Sequence, residues 1–216
     1  MKKTLLATLL ALCSVPAWAG TSTTKLNLGA NIIDGKDITS NVNIEHIHEN
    51  ERWRQEYEAE HDYQNVTGKI GKNDFYGLAK VNYTLDKKNY VLGVVKYEYD
   101  HFLANQHNAV AAVGYGHKIL RTDVLRVSNE VSGGVMRTDT DTKPVLRNSL
   151  WIRYDDKRYV FINKMLLEYT DFMYVRNQTE LGYKVTNRVT AGIRNVYTRN
   201  TQRNSNVTLI NLGITL

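Results

Sequence analysis

Between Trp53 and Tyr63 the chain alternates between two kinds of side chain. Trp53, Gln55, Tyr57, Ala59, His61 and Tyr63 are aromatic, small or weakly charged, while Arg54, Glu56, Glu58, Glu60 and Asp62 between them are all ionisable. A β-strand sends successive side chains to opposite faces, so this segment has one charged face and one largely uncharged, aromatic-ended face. As a helix it would stack Glu56 and Glu60 four apart, repelling, with no continuous apolar stripe. The pattern predicts a strand. Its 11 residues also match the length a tilted strand needs to cross a bilayer.

The same alternation recurs along the chain, with a turn signal every ten to fifteen residues. Leu26, Leu28, Ala30 and Ile32 alternate with polar residues up to Asp34-Gly35. Further strands are predicted over 38–48, 53–63, 75–84, 90–102, 108–120 and 124–137, then 145–154, 159–169, 174–184, 188–197 and 205–216. That is 12 strands and no helix. Pro144 stands at a strand start, where proline is tolerated. The connections 49–52, 85–89, 121–123, 155–158 and 185–187 are tight, and they alternate with longer ones at 66–74, 138–143 and 198–204. Membrane barrels show this asymmetry, short turns facing the periplasm and longer loops facing outward, which would leave both termini in the periplasm.

Pairing the strands across the tight turns sorts their faces. Placing His48 opposite Trp53 sets Ile44 against Tyr57 and Val42 against Ala59 on one face. The other face gathers Asn43, Glu45, Arg54, Glu56 and Glu58. Across 85–89, Ala79, Val81 and Tyr83 join Val91, Val95 and Tyr97, and Lys80 and Asn82 join Lys96 and Glu98. Across 155–158, Leu150, Ile152 and Tyr154 join Tyr159, Phe161, Met165 and Leu167. Each register puts apolar with apolar. The outward aromatics then form two belts. Trp53, Tyr83, Tyr154, Tyr159 and Tyr183 sit beside the tight turns, and Tyr63, Phe75, Tyr99, Tyr169 and Tyr197 at the far ends. Aromatic girdles flanking an apolar band suit a transmembrane barrel. In a soluble sandwich the apolar face would be the core, and the clustering of aromatics at strand ends argues against that. The expected fold is an all-β, up-and-down, antiparallel transmembrane barrel of about 12 strands, filling residues 20–216.

The first residues fit this destination. Lys2 and Lys3, an apolar run from Leu5 to Leu12, and Ala17-Trp18-Ala19 read as a signal peptide over 1–19, removed after Ala19. The only cysteine, Cys13, falls within it, so disulfide and thiolate chemistry are excluded from the mature chain. No later run approaches the ~18 apolar residues of a membrane helix. Removing Lys2 and Lys3 from the 28 basic residues leaves 26 against 22 acidic ones. That mild excess alternates along strands, so no nucleic-acid partner is expected. The expected partners are outer-membrane lipid, lipopolysaccharide and, during biogenesis, the barrel-assembly machinery of a Gram-negative envelope. Alternation runs through Ile210, Leu212 and Ile214 to Leu216, like the C-terminal strand by which such proteins are recognised, although an aromatic last residue is usual. The oligomeric state is left open.

The segments Asn50-Glu-Arg-Trp-Arg54, Tyr97-Glu-Tyr-Asp-His-Phe102, Val113-Gly-Tyr-Gly-His117 and Glu180-Leu-Gly-Tyr-Lys184 resemble the DUF481 family, in order and spacing. This family includes the YdiY-type proteins described as salt-induced outer membrane proteins. The resemblance covers about residues 26–216 and implies an outer-membrane barrel. It carries over no substrate, cofactor or catalytic residue.

The residues themselves offer little enzyme chemistry, and the expectation is a protein that is not an enzyme and binds no cofactor. His46 and His48 share a strand face at metal-ligand spacing, but that face is the outward one. His61-Asp62 and Asp100-His101 diverge as sequence neighbours, and His117 and Ser128 fall on opposite faces. What remains is the inward charge. The candidate pore-lining set is Arg54, Glu56, Glu58, Glu60 and Asp62 on one side, with Lys80, Lys96, Arg126, Arg147, Arg153, Lys164, Arg176 and Arg194 around the rest, along with Lys184 and Arg188. Two readings stay open, a narrow channel for small charged solutes or a closed envelope-stress barrel filled by mutually paired ions, with an outer-membrane hydrolase a weaker third. Glu56, Glu58 and Glu60 lie about 7 Å apart at ~3.4 Å per residue. Unless an open lumen hydrates them, they need cationic partners, and Glu58→Gln is expected to strand one.

Overall fold

The computed structural model describes residues 20–33, 37–66, 69–102, 106–200 and 204–216. The leader expected over 1–19 and the Asp34-Gly35 turn lie outside them. Twelve strands follow in order: β1 (Thr21–Ile33), β2 (Asp37–Glu49), β3 (Trp53–Val66), β4 (Lys69–Thr84), β5 (Asn89–Asp100), β6 (His107–Arg121), β7 (Leu125–Thr138), β8 (Thr142–Asp155), β9 (Tyr159–Tyr169), β10 (Met173–Lys184), β11 (Val189–Arg199) and β12 (Asn204–Thr215). Each pairs antiparallel with its sequence neighbours, and β1 pairs with β12, so the sheet closes into an up-and-down barrel. Closure leaves no free edge.

Alternation decides what faces where, and it runs opposite to a soluble barrel. Val95, Val113, Val135, Leu146, Leu181, Ile193 and Ile210 point outward and are all more than half exposed, ringing the barrel with apolar surface. Soluble monomers rarely expose a contiguous apolar surface of this kind. The outward amides are satisfied sideways. Asn163 donates to Asn177 (2.8 Å) and Thr179 (2.9 Å), and Asn195 donates to Asn206 (2.7 Å) and Thr208 (2.9 Å). At the tight-turn end Trp53 packs on its register partner Tyr83, with ring centres 4.8 Å apart, and Tyr159 on Tyr183 at 5.7 Å. At the far end Phe75 opposes Tyr99 and contacts Tyr97. His46 and His48 face Thr24 and Ser22, whose hydroxyls lie 2.9 and 2.8 Å from their Nδ1 atoms.

The faces assigned from sequence hold, with three corrections. Across the turn 50–52 the register is displaced by two residues: His48 opposes Gln55, Ile44 opposes Ala59 and Val42 opposes His61. Asn50 causes this. Its side chain accepts the amides of Arg52 (3.0 Å) and Trp53 (2.8 Å), and its own amide reaches Trp53 O, which sets Glu49 against Arg54. The connection expected at 66–74 is mostly strand. β3 runs to Val66, β4 starts at Lys69, and a register shift at Gln64/Asn65 absorbs the irregularity. The far-end connections at 139–141 and 170–172 are then as short as those at the tight-turn end, so the length asymmetry largely disappears.

The inner wall is not uniformly charged. Tyr90, Leu92, Val94, Val110, Ala112, Met136 and Val145 point inward from β5 to β8 and form a buried apolar cluster, with Leu78 and Phe172 packed against it. Gly134 is required there. A Cβ on it would lie 2.0 Å from Ala111 O and 2.6 Å from Ala112 Cα, so only glycine lets β6 and β7 approach this closely.

Candidate functional site

The candidate site is the lumen. Its acidic side is the inward row of β3, as the alternation predicts, and three of the predicted cations, Lys164, Arg176 and Arg194, reach it from distant strands. Glu60 is 2% exposed and accepts from Arg194 on β11 (2.6 Å) and Arg176 on β10 (3.0 Å). Arg194 also donates to Asn41 (3.3 Å), Asn41 donates to Asp62 (2.6 Å), and Lys72 closes on Asp62 at 2.8 Å. Lys164 on β9 spans to Glu58 on β3 (3.3 Å) and Glu45 on β2 (3.0 Å). In the closed order β9 and β3 are diametrically opposite, so this bridge crosses the whole lumen. On the other side Lys96 is fully buried between Glu168 and Glu98, and Arg147 holds the second oxygen of Glu168 at 2.9 Å. Tyr174 donates to Glu98 at 2.6 Å, and Lys96 lies 4.5 Å from the centre of the Tyr174 ring.

These contacts form a belt at mid-height. Below it, toward the tight turns, lies a cavity of about 170 Å³ lined by Glu45, Glu56, Leu78, Lys80, Trp151 and Met165 among others. Above it lies one of about 200 Å³ lined by Asp62, Lys72, Glu98, Gln106, Phe172 and Tyr174 among others. Tyr76 and Arg176 line both, with the Arg176 guanidinium 4.5 Å from the centre of the Tyr76 ring. The partition between the two chambers is therefore about one layer of side chains thick.

The remaining predicted residues sit toward the tight-turn end. Arg54 pairs with Glu56 (2.5 Å) and Glu49 (3.2 Å), and Lys80 links Glu56 (3.0 Å) to Glu130 (2.9 Å). Arg153 binds Asp155 (2.5 Å), which Lys184 also reaches. Arg126 is exposed at the mouth of the lower chamber. Arg188 lies in the exposed turn between β10 and β11 rather than on the wall. The set was incomplete: Lys25, Lys72, Glu98, Glu130, Glu168 and Glu180 are equally part of the network, and Lys25 pairs with Glu180 at 2.7 Å. The apolar wall also escaped the pattern of alternation. Its signal was the failure of alternation in the runs Tyr90–Val95 and Ala109–Val113, which read as strands apolar on both faces.

Residues 26–213 match the sequence profile of DUF481, described as a protein of unknown function. The chain belongs to the DUF481 family. No curated protein matches this DUF481 sequence. Among solved structures, the barrel is similar to a KdgM porin (14% identity, TM-score 0.50, 90% of this chain and 98% of the other covered). It is also similar to a NanC porin (12% identity, TM-score 0.53, with the same coverage). A KdgM porin in complex with disordered oligogalacturonate aligns at 12% identity and TM-score 0.50, covering 88% of this chain and 97% of the other. At such identities the likeness establishes a shared barrel fold for this DUF481 protein.

Proposed function

We propose that this protein is an outer-membrane barrel whose lumen is held shut at its waist by ion pairs, with a water-filled vestibule on each side and no catalytic role. The observation that carries this is the set of cross-lumen bridges Arg194–Glu60–Arg176, Glu58–Lys164–Glu45 and Lys96–Glu168–Arg147, in which Glu60, Arg194, Lys96 and Glu168 are at most 2% exposed. Ions buried this deeply and paired across the lumen support a waist closed to water, because a buried ion is costly unless it is paired. The outward apolar belt, the aromatic girdles and the fold shared with porins support the membrane location. In this reading residues 1–19 are cleaved after Ala19, the tight turns and both termini face the periplasm, and the outer surface contacts lipid and lipopolysaccharide after delivery by the barrel-assembly machinery.

A second reading, a narrow gated channel for small charged solutes, is favoured by one observation: among the described residues Tyr76 and Arg176 alone face both vestibules. Purified protein in planar bilayers separates the two. A silent bilayer from protein that still migrates faster unheated than boiled supports the shut barrel. Stepwise conductance from the unmodified chain refutes it in favour of the channel. Extraction of the unmodified protein from membranes by carbonate would refute the membrane location itself.

A further inference from the structure

Almost every cation on the inner wall has a carboxylate partner. Lys25, Arg54, Lys72, Lys80, Lys96, Lys143, Arg147, Arg153, Lys164, Arg176, Lys184 and Arg194 each form an ion pair. Among the described residues three inward cations form none: Lys118, Arg121 and Arg126. All three lie on the β6–β7 hairpin, and all line the mouth of the lower chamber. The exceptions are concentrated in one place.

Their arrangement is electrostatically unfavourable as it stands. Arg121 is the direct register partner of Arg126, and Arg126 of Arg153, so three guanidinium side chains occupy one row across β6, β7 and β8. Directly opposed like charges on antiparallel strands destabilise a sheet. Only Arg153 is relieved, by Asp155. Beside the row stands the Trp151 ring, 5.9 Å from the Arg54 guanidinium, while Lys118 lies 5.8 Å from the ring of the buried Tyr90.

We propose that this mouth is a binding site for small organic oxyanions, carboxylates or phosphates joined to a flat or apolar body. The Arg121–Arg126 pair takes the oxyanion through its forked donors, Lys118 adds a point charge, and the body lies against Trp151. A bound anion would relieve the repulsion between the arginines. The proposal shares with the function proposed above a water-filled lower vestibule, and it is independent of whether the waist opens.

The test is calorimetric titration of the folded protein in a non-ionic detergent with phenyl phosphate, and with benzyl alcohol as the uncharged probe. The expected result is saturable binding of phenyl phosphate alone, weakened about tenfold or more by Arg121→Ala or Arg126→Ala, the loss of one or two charge-assisted hydrogen bonds. Arg126→Lys is expected to retain part of the affinity, and Arg199→Ala, at the other end of the barrel, all of it. Arg121 and Arg126 are exposed and lack ion pairs, so both alanine variants are expected to keep the faster unheated gel migration of the folded barrel. Absence of saturable binding overturns the site, as does binding that both alanine variants leave unchanged. Neither result depends on bilayer conductance, so failure here leaves the shut-waist reading standing, and the reverse also holds.

Discussion

Replacing Glu60 by Gln removes the charge that two buried guanidiniums share. Arg194, its side chain 1% exposed, is then left with neutral amide oxygens as its only acceptors, that of Asn41 and that of the new side chain, and Arg176, 12% exposed, with the face of Tyr76 and no carboxylate. Breaking a buried pair by deleting one partner costs about 3–5 kcal/mol, and two stranded cations put this variant at the upper end. Glu58→Gln provides the internal comparison. The sequence alone predicts that it strands a cation, but Lys164 keeps Glu45 at 3.0 Å, so the loss reduces to one charge-assisted hydrogen bond, about 1.5–3 kcal/mol. The two variants carry the same chemical change, two residues apart on one strand face. Urea unfolding of the refolded barrel in detergent micelles, followed by tryptophan fluorescence, is expected to show a larger drop in midpoint for Glu60→Gln at unchanged slope. Equal midpoints, or a Glu60→Gln loss below about 1 kcal/mol, would refute the claim that the waist ions are sealed from water.

Three further outcomes are expected. Arg176→Ala removes a side chain common to both vestibules and should give small stepwise conductance in bilayers where the unmodified protein is silent; a silent variant that is still folded would place the barrier elsewhere. Gly134→Ala drives a Cβ into the β6 backbone and is expected to cost about 1–3 kcal/mol or more, while Gly133→Ala meets nothing within 4 Å and is expected to stay within ~1 kcal/mol, as read by the temperature at which gel migration shifts. Asp156, in the β8–β9 turn, accepts the amides of Tyr159 (2.6 Å) and Arg158 (2.7 Å) and the Tyr154 hydroxyl, which hold its carboxyl below the ordinary value. Its contribution to the turn is present above the unfolded-state value near 3.9 and is lost as pH falls through the depressed one. A carboxyl titration by NMR showing an ordinary Asp midpoint would contradict this.

The strands and their faces were legible because a period of two with one apolar face is written locally, residue by residue, as from Trp53 to Tyr63. Register across 50–52 was not, because it depends on the side chain of Asn50 folding back on two amides. The loop expected at 66–74 misled because Gly68, Gly71 and Asn73 read as turn residues, whereas most of the stretch continues the β4 ladder. Which ions meet was out of reach. Lys164 and Glu58 are 106 residues apart and touch only because the barrel brings opposite walls together.

Eleven of the twelve strand pairings join neighbours in sequence, and the β1–β12 ladder, Lys25–Ala30 against Thr215–Ile210, joins the two ends of the sheet. Hairpins can therefore zip one after another from local contacts, but the product is an open sheet with two bare edges until β12 arrives. That last closure carries nearly all of the long-loop entropy of the fold and is expected to be its slow step. It also makes the ladder a latch. Any polypeptide strand able to imitate β12 would compete for Lys25–Ala30 during that interval, so the nascent barrel is most open to templating, and to mispairing, along this one line.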